Sequence, residues 1–147
     1  MRTSDPECPF CRIVEGEDPD ARVIYWDDHV VAFFPDDPAT LGHTLVVPRK
    51  HIPDIWMIDE VSAMRVASVS VQIADLIRGV LNPQGLNVIQ SNGLVATQTV
   101  FHLHVHLVPR WEGDEVGSFW PVESSVDEHE TQEAWQSLRR ACERIVV

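Results

Sequence analysis

The sequence predicts an α+β fold: a five-stranded antiparallel sheet with one long helix and a C-terminal helix. Three observations lead there. Five short apolar stretches, at 23–26, 30–34, 44–47, 85–90 and 102–106, have strand composition and are bounded by turn residues. Most of the links between them are short, which favours antiparallel neighbours. One long helical pattern, 59–81, falls between the third and fourth stretches, and another lies near the C-terminus. Strands grouped in this way with few helices suit a sheet with helices on one face.

The chain has 147 residues, enough for one domain with a real core. Hydrophobic residues make up 44% and charged ones 23%, which marks a globular rather than a disordered chain. Eleven Lys and Arg against 23 Asp and Glu give a net charge of −12. Such a surface argues against nucleic acid and against anionic membranes, although a local site can still take a small anion. No apolar run is long enough to span a bilayer, and Met1-Arg2-Thr3-Ser4-Asp5 has no apolar leader core. Three cysteines, two of them close together, suit a cytoplasmic protein better than a disulfide-built one.

Cys8-Pro9-Phe10-Cys11 comes first. Two thiolates at this spacing can grip a metal from a tight turn, form a redox pair, or simply be buried. Nothing strand-like precedes them, which weakens the redox reading. Residues 23–26 and 30–34 form strands around an Asp27-Asp28 turn, and Pro35-Asp36-Asp37-Pro38 is a loop. Gly42-His43 leads into the strand at 44–47, stopped by Pro48. Arg49-Lys50-His51 is either an exposed basic turn or a place for an anion, with His51 free to join the cysteines.

Asp59 caps the long helix, Glu60 suits its N-terminus, and Asn82-Pro83 ends it at Leu81. Val69, Ile73, Leu76, Ile77 and Val80 form an apolar stripe that must pack on something. Phe119 and Trp120 suit the core or a dimer contact. The last helix runs from about Asp127 to Ile145, with Trp135, Leu138, Cys142 and Ile145 on one side and Cys142 as a small core residue.

Three of the seven histidines fall at 102, 104 and 106, interleaved with Leu103, Val105 and Leu107. On a strand this spacing puts three imidazoles on one face and the aliphatic residues on the other, with Pro109 as the end. A row of histidines gains little as a core. Because imidazole titrates near neutrality, such a row suits a nucleophile, a proton donor and a metal ligand.

These residues resemble the histidine triad (HIT) family, in the branch of zinc-containing bacterial HIT proteins and histidine triad nucleotide-binding proteins. The resemblance rests on Cys8-x-x-Cys11, on Gly42-His43-Thr44-Leu45-Val46-Val47-Pro48 with His51, and on Gln98-Thr99-Val100-Phe101-His102-x-His104-x-His106. It covers about 8–110 of a single domain spanning 1–147, with 111–147 as a C-terminal extension. It implies a homodimer whose two sheets join into one of ten strands. It also implies a hydrolase or transferase acting on the α-phosphate of a nucleotide conjugate: a phosphoramidate, an adenylate or a dinucleoside polyphosphate. His104 is then the nucleophile, forming a covalent nucleotidyl-histidine. His106 contacts phosphate oxygens, and if charged it would hold His104 neutral. Thr99 assists the leaving group.

By the same resemblance Phe10, Ile13 and Phe33 line the base pocket. Ser91, Asn92, Gln98, Thr99 and His106 complete the nucleotide site. Cys8, Cys11, His51 and His102 hold a structural Zn2+ in a closed tetrahedral set. Three positions depart from the family pattern. Pro35 stands where an Asp usually binds ribose, Ser91 where Asn or Gln is common, and Thr97 where Gly is usual. Two other readings compete: a non-catalytic, zinc-stabilised nucleotide-binding dimer, and a metallohydrolase whose triad histidines hold a catalytic metal.

Overall fold

The structure, a computed structural model, describes residues 4–145; Met1 to Thr3 of the N-terminal stretch lie outside them. In chain order the elements are α1 (Pro9–Val14), β1 (Arg22–Trp26), β2 (Val30–Phe34), β3 (Thr44–Pro48), α2 (Glu60–Leu81), β4 (Gly85–Gln90), a 3-10 turn (Leu94–Ala96), β5 (Val105–Arg110) and α3 (Glu128–Cys142). The five strands form one sheet in the order β1-β2-β3-β5-β4, every pairing antiparallel. The predicted fold class is the one observed.

Strands β2 and β3 lie at the centre and are buried along almost their whole length. Their unbroken apolar runs suit a position covered on both faces. On one face Val30, Ala32, Val46 and Leu107 pack against Val66, Val69, Ile73 and Ile77 of α2. On the other face Val31, Phe33, Leu45 and Val47 pack with Val14, and with Phe10 and Ile13 of α1. Alternation along the strands thus sorts even positions of β2 and β3 toward α2 and odd positions toward α1.

Helix α2 begins where expected. The Asp59 side chain accepts from the Ser62 amide, and Asn82 closes the helix in the left-handed region. The buried stripe is narrower than predicted, since Leu76 and Val80 are 60% and 79% exposed. They flank the line Val66–Val69–Ile73–Ile77 that faces the sheet and instead line an open groove with Ile24, Phe34 and Thr44. Gly42 explains its own identity: its φ is +78°, and a Cβ there would collide with Leu81 at the end of α2.

Pro48 ends β3 as its last residue, as expected, but Pro109 sits within β5 opposite Leu86. The Pro109 carbonyl accepts from Thr40 Oγ1 at 2.7 Å, away from β4. In an antiparallel strand a residue's N–H shares the side of its C=O, so the missing N–H of Pro109 costs the β4 ladder nothing. At its other end β5 starts three residues later than His102. Its backbone is tied instead through the Leu103 amide, which donates to the Ile52 carbonyl at 2.6 Å.

Helix α1 was not anticipated. At six residues it is too short to show a periodicity, though Pro9 in its first turn suits a helix start. The chain divides into two compact units, Met1–Val116 and Gly117–Val147. The first runs past the expected boundary at 110 because Arg110 clasps the loop that comes after it. Its Nε and Nη2 donate to the two carboxylate oxygens of Asp114 at 2.7 and 2.8 Å, and Nη2 also donates to the Val116 carbonyl. In the second unit α3 is capped by Asp127, and none of its residues is buried. Cys142, Phe119 and Trp120 are exposed, so the core readings for them fail. A unit this short cannot enclose a core of its own.

Thr97 closes the 3-10 turn with φ +69°. A β-branched residue in this region carries a steric cost of about 1–2 kcal/mol. Glycine would remove that cost while losing part of the gain to its freer unfolded chain. Thr97→Gly is therefore expected to raise stability by about 0.5–1 kcal/mol, read as a higher urea midpoint at unchanged slope. An unchanged or lower midpoint would show that the backbone is not strained there.

Candidate active site and metal centre

Register builds the site. Val23 pairs with Phe33, Phe33 with Leu45, Leu45 with His106 and His106 with Ile89, so one row crosses the sheet on the α1 face. His106 ends an apolar row floored by the buried Phe33. Phe10 of α1 stands over it, edge-on to Phe33 at 5.3 Å and to His104 at 5.1 Å between ring centroids. Phe10 and Ile13 both pack on this cluster. The three residues assigned to a base pocket are thus brought together beside His104.

Next to this pocket, Cys8, Cys11, His51 and His102 converge, each offering a ligand atom within 4.8 Å of the others. Cys8 precedes α1 and Cys11 lies in its first turn, which turns both sulfurs to one side. The Cys–His separations are 3.6 Å for Cys8 Sγ to His102 Nδ1, 3.5 Å for Cys11 Sγ to His102 Nδ1, and 3.4 Å for Cys11 Sγ to His51 Nδ1. Bond lengths typical of zinc to thiolate and imidazole span about 3.6 Å across a tetrahedral edge. His102 Nε2–H donates to the Pro48 carbonyl at 2.8 Å, leaving Nδ1 with its lone pair toward the sulfurs. Burial pushes the Cys8 thiol up, so a thiolate there needs a cation. Donor set, distances and tautomer all fit a closed, four-ligand metal site.

His104 is 6% exposed, and its Nδ1–H donates to the His102 carbonyl at 2.7 Å. That leaves the Nε2 lone pair free. The His104 and His106 rings lie 4.8 Å apart. Burial is the main cause lowering both, and His106 falls to about 4. His106 is therefore neutral at pH 7, so the condition of a charged ring beside His104 is not met. What keeps His104 unprotonated is its own burial, not a cationic neighbour.

The remaining predicted residues fare differently. Gln98 is buried and its amide is engaged by the protein. Its Oε1 accepts from the Gly93 amide, and its Nε2 donates to the Pro53 and Val100 carbonyls. Asn92 is paired with Gln90 and accepts from the Ile55 amide. Both side chains brace the loops around the site; Gln98 has both amide protons engaged, whereas Asn92 spends one on Gln90 and keeps the other. Ser91 is half-buried. Thr99 is exposed, on a cleft of about 300 Å³ whose walls include Cys8, His51 and Phe101. Arg49 donates to the carbonyls of Asp27 and Val14, and Lys50 pairs with Asp59, so both basic side chains of the turn have partners within the protein.

The residue that sequence reasoning passed over is His43, 7% exposed, with Nε2 2.9 Å from His106 Nδ1. Alternation could have found it, because residue 43 falls on the same face as Leu45, the partner of His106.

A buried neutral imidazole has a pH signature. The His106 value falls from 6.5 to about 4 on folding, so between those pH values the unfolded chain binds the extra proton. Stability then drops as pH falls through this window and is fully retained above it. Wild type should lose more stability between pH 7 and pH 5 than His106→Gln, measured by urea midpoints at both. Equal losses would mean that His106 is not held neutral by the fold.

With this geometry in place, similarity to known proteins is informative. The HIT domain matches residues 16–113. Protein hit of Bacillus subtilis (strain 168) is 41% identical over 114 residues, covering 77% of this chain and 78% of that protein. The adenylylsulfatase HINT3 of Arabidopsis thaliana is 30% identical over 125 residues, covering 83% of this chain and 60% of that protein. A crystal structure of a zinc-bound histidine triad family protein from Mycobacterium smegmatis superposes with a TM-score of 0.70 at 34% identity, over 92% of this chain and 97% of that one. By sequence and by structure, this chain belongs to the HIT domain family.

Proposed function

We propose that the protein is a nucleotidyl hydrolase or transferase acting at the α-phosphate of a nucleotide conjugate through His104. The observation that carries this reading is the His104 ring. Its Nδ1–H is committed to the His102 carbonyl, and its other nitrogen is unprotonated beside an aromatic pocket. The Nε2 lone pair forms the bond to phosphorus. The bond from phosphorus to the leaving group breaks, its electron pair departs with that group, and an amine or hydroxyl leaving group takes up a proton from solvent, with the Thr99 hydroxyl in the assisting role. Water then forms the new P–O bond and releases a proton. The N–P bond breaks, and His104 regains its lone pair. The similarity to an adenylylsulfatase supports adenylates as one substrate class.

Zinc fits Cys8, Cys11, His51 and His102 as a structural ion. It would supply charge to the two thiolates and hold α1, the turn at His51 and the start of the catalytic segment together. The metallohydrolase alternative is not favoured. Among the described residues, the metal-holding cluster includes His102 but neither His104 nor His106. A homodimer is part of this reading: β4 is an edge strand, and pairing two such edges would give ten strands. A reducing, cytoplasmic setting suits three free cysteines.

The test is trapping. Wild type and His104→Ala are mixed with an adenosine phosphoramidate, adenylyl sulfate and a dinucleoside polyphosphate, quenched in base and weighed intact. An adduct is expected on wild type alone, with turnover lost in the variant while nucleotide affinity is kept. Wild-type rates in His104→Ala would remove His104 as nucleophile. For the metal, elemental analysis is expected to give one zinc per chain, lost when Cys8 and Cys11 are both changed to Ser. Full zinc content in that double variant would place the ion elsewhere.

A further inference from the structure

The hydrogen bonds running into His106 have a direction that can be worked out from their fixed end. The Ala39 backbone N–H can only donate, and it points at His43 Nδ1 at 3.0 Å. His43 Nδ1 is therefore an acceptor, and the proton of the neutral ring sits on Nε2. That nitrogen lies 2.9 Å from His106 Nδ1 and donates to it. With Nδ1 of His106 accepting, the His106 proton must sit on Nε2, the nitrogen left free for a ligand. The fixed end is itself anchored. Thr40 Oγ1 donates to the Pro109 carbonyl at 2.7 Å, and the His43 amide donates to the Thr40 carbonyl at 3.1 Å.

We propose that the Ala39 amide and His43 form a positioning relay that fixes His106 as a neutral Nε2–H donor to the phosphoryl group. This deepens the nucleotidyl-transfer reading and rests on it. His43 is not a catalytic residue in this scheme. Both of its nitrogens are used inside the protein, and its ring lies against His106 at 5.2 Å with a tilt of 35°. Its task is selection. A neutral imidazole left alone divides between two tautomers, and only one of them puts N–H on the free nitrogen. Next to it, His104 must present the opposite, a bare lone pair on the free nitrogen, and the His102 carbonyl selects that form. Two like rings two residues apart are thus held in opposite tautomers by two different backbone groups: an amide acting through His43, and a carbonyl acting directly.

The test uses the full chain with His43→Phe, which keeps a ring but removes both nitrogens, and His43→Gln, whose amide can accept from Ala39 and donate to His106. Nitrogen-15 spectra of the imidazoles report the His106 tautomer, and adenosine phosphoramidate serves as the kinetic probe. Wild type is expected to show a single Nε2–H form of His106, and His43→Phe a mixture. In His43→Phe kcat should fall about ten- to hundredfold with KM within about threefold, the loss of one aligned donor. His43→Gln should recover most of both readouts. A single Nε2–H form persisting in His43→Phe overturns the relay. So does a mixture with unchanged kcat, or an equal loss in both variants. If wild type itself forms no adduct, the covalent reading fails separately, and the tautomer measurement alone decides the relay. Should His43→Phe fold poorly, as judged by zinc content, His43→Gln decides it: a wild-type tautomer with near wild-type kcat supports the relay, and loss of either overturns it.

Discussion

The site depends on how His102 is held. This residue is fully buried and uses every polar group within reach. Nε2–H goes to the Pro48 carbonyl, Nδ1 faces the two cysteines, and the backbone carbonyl receives the His104 proton. A buried imidazole with an unmatched nitrogen would cost about 1–3 kcal/mol. Each of these partners comes from a different part of the chain: the N-terminal turn, the end of β3 and the triad segment itself. One residue therefore links the metal centre to the ring expected to do the chemistry. That linkage also accounts for β5 starting late. Residues 102–104 are held by a metal-type cluster, by the Leu103–Ile52 bond and by side-chain bonds, where a longer ladder would otherwise hold them.

Burial and charge both bear on the protonation of the triad, and the structure shows which is larger. A cationic neighbour would have to sit in the same apolar pocket. Yet the His106 ring is itself driven down to about 4, chiefly by burial, so it supplies no charge at neutral pH. Desolvation acts on His43, His102, His104 and His106 in the same direction. With every ring neutral, what distinguishes them is where the single proton sits. That is decided by hydrogen-bond partners, which are geometric and close to independent of pH above about 6.5.

Much of this was legible in the residues, because it depends on period and spacing. Alternation along 102–106 gave the face and the 59–81 pattern gave α2 with its Asp59 cap, while the metal set followed from the family resemblance and not from the cysteine spacing alone. What escaped depends on contacts between distant segments. Leu76 and Val80 have the right spacing for burial, but they line an open apolar groove with Ile24, Phe34 and Thr44 of the sheet and stay exposed. The loop bonds of Gln98 and Asn92 escaped as well, since the sequence shows a polar residue beside a catalytic stretch but not the loop it braces. Pro109 looks like a stop only until the Thr40 hydroxyl shows which way its carbonyl points. Cys142 belonged to a stripe whose pattern says that it is amphipathic but not what covers it.

The electrostatics of the proposed reaction follow from the same neutrality. The protein carries a net charge of −12, and its nearest basic turn is committed elsewhere, Arg49 to carbonyls and Lys50 to Asp59. An N–H held in place gains most where negative charge accumulates on the phosphoryl oxygens, and it needs no reorganisation when that charge appears. The apolar wall of Phe10 and Phe33 strengthens the effect by excluding water from the nucleophile. On this view the acidic surface and the buried neutral histidines are consistent features of one design: binding rests on the apolar pocket, and the imidazole protons are placed for the transition state.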